Sequence, residues 1–153
     1  MPDDLTKKKI KDLNDILVGI VPDPKGRVDQ ITLAMMYKFM DELDDLSRSS
    51  GSKFLYFQKK YEKYSWSNLF DPKLSGFEFL ERYKESIEKI GENENIPTLF
   101  REIFKDAKSS IEDPAVLKIF LKKINDFDYK NSETLGDSFE NLLSFVSSQA
   151  EAG

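Results

Sequence analysis

Residues 27 to 47 carry apolar side chains on nearly every side of one long predicted helix, and this constrains the fold more than any other stretch of the chain. The two stripes are Val28, Ile31, Met35, Phe39 and Leu46, and Leu33, Met36, Tyr37, Met40 and Leu43. Most of their members recur at intervals of three or four residues, the spacing of one side of an α-helix. Because a helix that is apolar nearly all round must pack against several neighbours, we expect it at the centre of a helical domain.

The segments on either side of it are also predicted as helices, separated by breaks rich in proline, glycine and polar residues. A first helix spans about residues 5 to 20 and ends at VPDPKG, residues 21–26, since two prolines and a glycine cannot continue it. Helical spacing returns at Phe77, Leu80, Tyr83, Ile87 and Ile90. It returns again in residues 97–104 and 113–127, and no alternating strand pattern or internal repeat occurs. The sequence therefore predicts an all-α domain of six or seven helices with no sheet.

Capping residues mark the start of two of the later helices. Asp113 is placed as the N-cap of one, with Pro114 in its first turn, where the missing amide costs nothing. Thr134 is a candidate N-cap for the other, whose apolar face is predicted as Leu135, Phe139, Leu142, Leu143 and Val146. Residues 147–153 have almost nothing to bury and indicate a linker.

The composition bounds the class of protein. A chain of 153 residues with 39% hydrophobic and 33% charged residues suits one soluble domain, and no apolar run approaches the roughly 20 residues that span a bilayer. The N-terminal MPDDLTKKKI is not a secretory signal, so we expect a cytoplasmic protein without a membrane partner. Without histidine or cysteine, the chain cannot form a Ser-His-Asp triad, a thiolate metal site or a disulfide.

The sequence excludes some other common types of functional site and gives little support to the rest. The sequence has no glycine-rich phosphate-binding loop, and the best calcium-loop match, which starts at Asp126, has Lys130 at a ligand position. The carboxylate pairs of Asp44 with Asp45 and of Glu42 with Asp45 are interpreted as a solvated helix face. A net charge of −5 argues against a free-standing DNA-binding domain, although a local basic face remains open.

The segment KFLYFQKKYEKYSW, residues 53–66, combines lysines with aromatic residues and leaves two interpretations open. Lysines with interleaved aromatics are typical of a surface that follows a nucleic-acid backbone and stacks on bases. The favoured interpretation is that the aromatics fill the core of a small helical domain while the lysines line its solvent side. The lysine run at residues 7–11 is likewise expected to be a solvated helix face, with phosphate contact as the alternative.

The succession of segments resembles the N-terminal helical domain of the M (modification) subunits of type I restriction-modification systems. The segments are RVDQITLAMMYKFMDELDD, YSWSNLF, IPTLFREIFKDA, DPAVLKIFLKKINDFDY and LGDSFENLLSFVSSQAEAG, at residues 27–45, 64–70, 96–107, 113–129 and 135–153. The last is the most specific, because in that family an LG-x-x-[FY]-E-x-L helix leads through a short linker into the methyltransferase domain. The resemblance implies that residues 1–146 are this N-terminal domain and that 147–153 begin a linker to a catalytic domain outside the sequence.

What the resemblance implies for function concerns mainly the parent protein. The parent would be an S-adenosylmethionine-dependent methyltransferase specific for the N6 amine of adenine in DNA, acting on a flipped-out base. The motifs for the cofactor and for catalysis would lie beyond residue 153, so no catalytic, cofactor or metal residue is assigned here. The domain would help to enclose DNA and would contact a specificity subunit, a second M subunit and a restriction subunit.

Two sets of residues are assigned on this basis. Lys59, Lys60 and Lys63 are expected to meet phosphate in the assembled complex, and Phe139, Leu142 and Leu143 to pack against a neighbouring domain. The competing interpretation is a self-contained helical adaptor that binds another protein and has no enzymatic parent.

Overall fold

Residues 4–52 and 55–126 are described by the structure, a computed structural model, and this part of the chain contains only helices. The helices are α1 (Asp4–Leu17), α2 (Pro24–Ser49), α3 (Gly76–Glu92), α4 (Thr98–Phe104) and α5 (Pro114–Asn125), with two short 3-10 helices, η1 (Lys59–Tyr64) and η2 (Trp66–Phe70), between α2 and α3. The described part has no strand, so the predicted all-α class is confirmed. None of its helices is both long enough and apolar enough to cross a membrane.

The long helix α2 lies among several neighbours, as its two apolar stripes predict. It contacts α1, α4, α5 and η2. Ile31, Ala34, Met35, Tyr37 and Met40 are wholly buried along it. Leu46, which the stripe pattern placed inward, is exposed instead. Because α2 has 26 residues and its neighbours α1 and α5 have 14 and 12, those helices cannot cover its whole length.

The helices α3 and α5 each begin at a side-chain cap, and the cap at Asp113 is the predicted one. Asp113 Oδ1 accepts a hydrogen bond from the amide of Ala115 at 2.9 Å, and Pro114 opens α5 as predicted. Ser75 and Glu78 form a reciprocal capping box at α3, in which each side chain accepts from the other residue's amide at 3.1 Å. Each cap satisfies amides that a helix start leaves without partners, so the sequence specifies these boundaries locally.

The buried face of α3 differs from the predicted stripe by one residue. Phe77 was placed inward but its side chain is 68% exposed, while Phe79 is buried. The buried positions Phe79, Tyr83, Ser86, Ile87 and Ile90 follow a helical i, i+4, i+7, i+8, i+11 spacing. Phe77 lies outside that face because it is about 200° around the helix from Phe79.

The aromatic residues of the loop region form the centre of the core around Tyr37. Its ring lies edge-on to Trp66 at 5.2 Å and 5.8 Å from Phe57, and it stacks on Tyr83 at 6.2 Å, all measured between ring centroids. Its hydroxyl donates to the carbonyl oxygen of Tyr64. This cluster joins α2, η1, η2 and α3, so the interpretation of these aromatics as core residues is confirmed.

Several predictions concern residues outside the described ranges. They are Lys53 and Phe54, the predicted helix after Thr134 with Phe139, Leu142 and Leu143, and the linker at 147–153.

Candidate nucleic-acid interface

The 3-10 helix η1 separates tyrosines from lysines by its geometry. A 3-10 helix has three residues per turn, so side chains three apart in sequence lie on one side. Tyr61 and Tyr64 therefore both enter the core, whereas Lys60 and Lys63 both face solvent. The repeat KYEKY, residues 60–64, thus produces a surface with an aromatic underside and a basic outer side.

The two outer lysines lie close to the tyrosines beneath them. The Nζ atom of Lys60 is 5.2 Å from the ring centroid of Tyr61, and that of Lys63 is 5.1 Å from the centroid of Tyr64. Both distances are within the range of cation–π attraction. Among the described residues no ion pair involves Lys59, Lys60 or Lys63. Their positive charges are therefore not neutralised by a carboxylate of that part of the chain.

A fourth basic residue reaches the same surface from α3. Arg82 Nη1 donates to the carbonyl oxygen of Lys63 at 3.1 Å. We call Lys59, Lys60, Lys63 and Arg82 the basic face. Sequence reasoning missed Arg82, because it lies 19 residues from Lys63 and only the packing of α3 against η1 brings the two together.

The surface beside these lysines is a shallow depression that also contains polar and acidic groups. Lys59, Lys60, Glu62, Lys63 and Asn68 line it. The side-chain amide of Asn68 donates to the carbonyl oxygen of Glu62 at 2.8 Å, which joins η2 to η1. The carboxylate of Glu62 opposes the lysines, so the depression has mixed charge with an excess of positive groups.

The first residue of the basic face has an unusual backbone conformation. Lys59 has a φ of +55°, in the left-handed region, and Asp106 is the other non-glycine residue with a positive φ among those described. This region costs an L-residue about 1–2 kcal/mol. Lys59 is the first residue of η1, so this conformation occurs where the chain enters that helix, and Lys59 is exposed like Lys60.

Tyr64 of η1 is hydrogen-bonded to an exposed acidic residue of α3. Its hydroxyl donates to Glu85 Oε1 at 2.5 Å. Burial, together with the hydrogen bond to the neighbouring Glu85 carboxylate, raises the pKa of Tyr64 to about 12. The phenol therefore stays protonated and neutral, and its hydrogen bond holds η1 against α3.

Two of the N-terminal lysines form ion pairs within α1, and a third donates a hydrogen bond to a backbone carbonyl. Lys8 pairs with Asp12 at 3.3 Å and Lys11 pairs with Asp15 at 3.1 Å. Lys9 Nζ donates to the carbonyl oxygen of Asp126 at 3.1 Å. The charges of Lys8 and Lys11 are therefore matched by carboxylates one turn away.

The carboxylates of α2 are not the solvated group that the sequence suggested. Asp44 is buried, and its two carboxylate oxygens accept hydrogen bonds from the amides of Tyr56, at 2.7 Å, and Phe57, at 3.0 Å. Asp45 is exposed and pairs with Arg48 at 2.8 Å. The solvated-face interpretation is therefore right for Asp45 and wrong for Asp44, whose role is to hold the returning loop against α2.

Asp41, one turn earlier, was not singled out from the sequence. It is 5% exposed and accepts a hydrogen bond from Ser67 Oγ at 2.6 Å. Burial raises the pKa of its carboxyl group from 3.8 to about 6. Because this carboxyl is enclosed and bonded to Ser67, its perturbed pKa fits a structural link between α2 and η2 better than acid–base chemistry on a substrate.

Metal chemistry has no support in the described part of the chain. No group of three or more Asp and Glu side chains there is arranged to hold a metal ion. Comparisons of the whole chain with protein-family models, with curated proteins and with solved structures gave no match.

Proposed function

We propose that this chain is the N-terminal helical domain of an adenine-specific DNA methyltransferase M subunit of a type I restriction-modification system, and that its basic face contacts the phosphate backbone of DNA. The resemblance of five successive segments supports the family. One observation supports the contact: Lys59, Lys60 and Lys63 are exposed and without carboxylate partners among the described residues, in a chain whose net charge is −5.

The mode of contact follows from what the basic face exposes. Its aromatic rings are buried beneath the lysines, so they are not available to stack on bases. What remains is positive charge on a 3-10 helix, which suits phosphate contacts that position DNA without reading its sequence. The proposed domain therefore strengthens DNA binding, while sequence recognition belongs to the specificity subunit.

The chemistry of the proposed parent lies outside these residues. S-adenosylmethionine would supply the methyl group in the catalytic domain, and this chain contributes no reacting group. Its proposed tasks are to enclose the DNA and to contact the specificity subunit, a second M subunit and a restriction subunit.

The test is the salt dependence of DNA binding by two matched triple variants of the chain. In the first, Lys59, Lys60 and Lys63 are changed to Gln. In the control, Lys8, Lys11 and Lys25 are changed to Gln, which removes the same charge from side chains that pair with Asp12, Asp15 and Asp29. Anisotropy with a labelled 30-base-pair duplex would give the affinity at several salt concentrations.

We expect only the first variant to lose DNA affinity and salt dependence. Each lost phosphate contact lowers the slope of log K against log salt by roughly 0.9, so three contacts lower it by roughly 2.7. The control is expected to bind like the unaltered chain. Equal affinity and slope in the two variants would contradict the proposed contact.

An adaptor function is the second candidate, and one observation favours it. Leu99 and Ile103 lie one turn apart on α4, and Leu99 is 75% exposed. In an adaptor, this pair would be part of a larger apolar patch that docks a partner. Failure of the unaltered chain to bind DNA at any salt concentration, together with retained folding, would favour the adaptor.

A further inference from the structure

A groove of about 600 Å³ lies where η2, the loop after η2, the start of α3 and the helix α5 meet. Most of its lining is apolar and includes Leu69, Phe70, Pro72, Leu74, Phe79 and Pro114. The charged residues of the lining are Asp71, Lys118 and Lys122. The groove therefore combines an apolar lining with an excess of positive charge.

The loop that forms one wall of the groove is fixed by its own hydrogen bonds. Asp71 Oδ1 accepts from the amide of Lys73 at 2.9 Å, and the carbonyl oxygen of Asp71 accepts from the amide of Leu74 at 3.1 Å. The capping box of Ser75 and Glu78 follows directly after this turn. Because these bonds order the loop in the unbound chain, a partner that enters the groove loses little free energy in ordering it.

Aromatic and backbone contacts fix the other walls. The ring centroid of Phe70 lies 5.5 Å from that of Trp66 and 6.4 Å from that of Phe79. A Cβ atom added at Gly76 would lie 3.3 Å from the Cβ atom of Pro114, so the start of α3 lies directly against the start of α5. The groove is therefore formed before anything binds, as most binding sites are.

Lys118 and Lys122 place two positive charges beside the apolar lining. Both side chains are exposed, and among the described residues no ion pair involves either of them. They are four residues apart on α5, so they lie on one side of that helix and one turn apart. The acidic residue of the lining, Asp71, already accepts from a backbone amide. Carboxylates of a bound partner would therefore meet two positive charges at a fixed spacing.

Ile119 extends the apolar surface next to these lysines. Its side chain is 53% exposed. Ala115, Lys118, Ile119 and Lys122 follow the i, i+3, i+4, i+7 spacing of one helix side, and Ala115 is an exposed residue of the groove lining. A partner that lies along α5 would cover Ile119 and the groove while its flank meets the two lysines.

The secondary structure indicates how such a partner would bind. The described part of the chain contains no strand, so it offers no sheet edge to which an extended peptide could add. An amphipathic helix laid in an apolar groove is the mode that a helical surface supports. Two helices packed side by side have the same rise per residue, so lysines one turn apart match carboxylates one turn apart.

We propose that this groove is the docking site for an amphipathic acidic helix of another protein. The apolar side of that helix fills the groove, and two carboxylates at positions i and i+4 on its flank pair with Lys118 and Lys122. The proposal goes beyond the DNA contact and does not rest on it, because the groove shares no residue with the basic face.

Selection from a displayed library of helical peptides of about 15 residues, with the full chain as bait, tests the chemistry of the partner. The side chains on one side of each peptide are randomised, so the library contains acidic, basic and neutral flanks in equal measure. We expect the enriched peptides to carry an apolar stripe flanked by Asp or Glu at i and i+4. Anisotropy with one enriched peptide, labelled with fluorescein, then gives affinities for variants of the chain.

Two variants alter the groove and one serves as control. Ala115→Trp fills the groove from an exposed position, and it is expected to weaken binding at least about 20-fold. Changing Lys118 and Lys122 together to Gln is expected to weaken it about 3- to 10-fold. The control changes Lys8 and Lys25 to Gln, which removes the same charge from exposed side chains elsewhere, and it is expected to bind like the unaltered chain.

A charge exchange identifies the paired groups. The enriched peptide with both acidic residues changed to Lys is expected to bind the Lys118→Glu, Lys122→Glu variant more tightly than it binds the unaltered chain. A urea midpoint measured for every variant shows whether it has kept its fold, and the lysine variants alter only exposed side chains, so they test the pairing even if Ala115→Trp does not fold.

Three results would overturn the proposal. The first is a selection that enriches no peptide, or enriches peptides without acidic residues at this spacing. The second is equal binding by the lysine variant and its control. The third is dimerisation of the unaltered chain that Ala115→Trp abolishes, because it would assign the groove to a second copy of the chain.

Discussion

The hydroxyl of Ser67 donates a 2.6 Å hydrogen bond to the buried carboxyl group of Asp41, which ties η2 to the middle of α2. Burial raises the pKa of that carboxyl from 3.8 to about 6. The folded state therefore holds its proton more tightly than the unfolded chain does. This group's contribution to stability is full below pH 3.8 and is lost as the pH rises through about 6.

Asp41→Asn is accordingly expected to stabilise the protein at pH 7, because the amide still accepts from Ser67 without carrying a charge. The gain is on the order of 2 kcal/mol in the free energy of unfolding at pH 7 and disappears near pH 4. Urea denaturation of the variant and the unaltered chain at both pH values measures it. A difference that does not change with pH would argue against a raised pKa in the folded state.

Asp44→Asn, three residues further along α2, is expected to have the opposite effect: burial raises the pKa of Asp44 as well, but here the loss of a hydrogen bond to a backbone amide outweighs the removal of the buried charge. The Asp44 carboxylate accepts from the amides of both Tyr56 and Phe57, and an asparagine side chain offers only one oxygen. Leaving one buried amide without a partner costs about 1–3 kcal/mol. Urea denaturation at pH 7 measures the loss, with Asp45→Asn as the exposed control, for which a change below about 0.5 kcal/mol is expected.

Lys59→Gly is expected to affect the stability of the fold and its binding to DNA in different directions. Glycine removes the cost of the positive φ at this position, but it also increases the conformational entropy of the unfolded chain. We therefore expect the free energy of unfolding to rise by about 0–1 kcal/mol. At Lys60, where φ is not positive, the substitution Lys60→Gly is expected to lower the free energy of unfolding by about 0.5–1 kcal/mol. Thermal unfolding compares the two, and equal losses would show that Lys59 is not strained.

Both glycine variants remove one positive charge from the basic face. If the proposed DNA contact is correct, both weaken binding to duplex DNA by a similar factor, although their stabilities change in different directions. Anisotropy at one low salt concentration is sufficient for this comparison.

Gln30→Ala is expected to release the segment between α4 and α5. The Gln30 side chain donates to the carbonyl oxygen of Lys108 at 2.9 Å and accepts from the amide of Ser110 at 3.0 Å. Loss of two hydrogen bonds costs about 1–3 kcal/mol. Hydrogen exchange should accelerate at Ser110 more than at amides of α5, and the exposed neighbour variant Asp29→Ala serves as control.

Local sequence signals account for the helices and most of their boundaries. Asp113 with Pro114, and the break at 21–26, each act within one turn of the chain, so their effect does not depend on distant residues. The face of α3 was less well predicted, because Phe77 and Phe79 are equally apolar. Only the positions of α4, α5, η1 and η2 around α3 decide which of the two is buried.

The candidate site likewise has features that the sequence predicts and features that it does not. The lysine and tyrosine spacing in residues 60–64 indicates a basic outer side and an aromatic core side, and the structure has that arrangement. Arg82, the loop held by Asp44 and the link from Asp41 to Ser67 were not predictable. Each of these joins residues 12 to 26 positions apart, so nothing in the local pattern marks the partner.

The sequence by itself determined the all-α class, the long central helix and the exposure of the lysines, because helical periodicity and capping depend on neighbours within four residues. Only the tertiary structure decided which of the α2 carboxylates are buried and where Arg82 joins the basic face. The physical reason is that burial and pairing depend on which distant surfaces come together, and a periodic pattern describes one helix at a time.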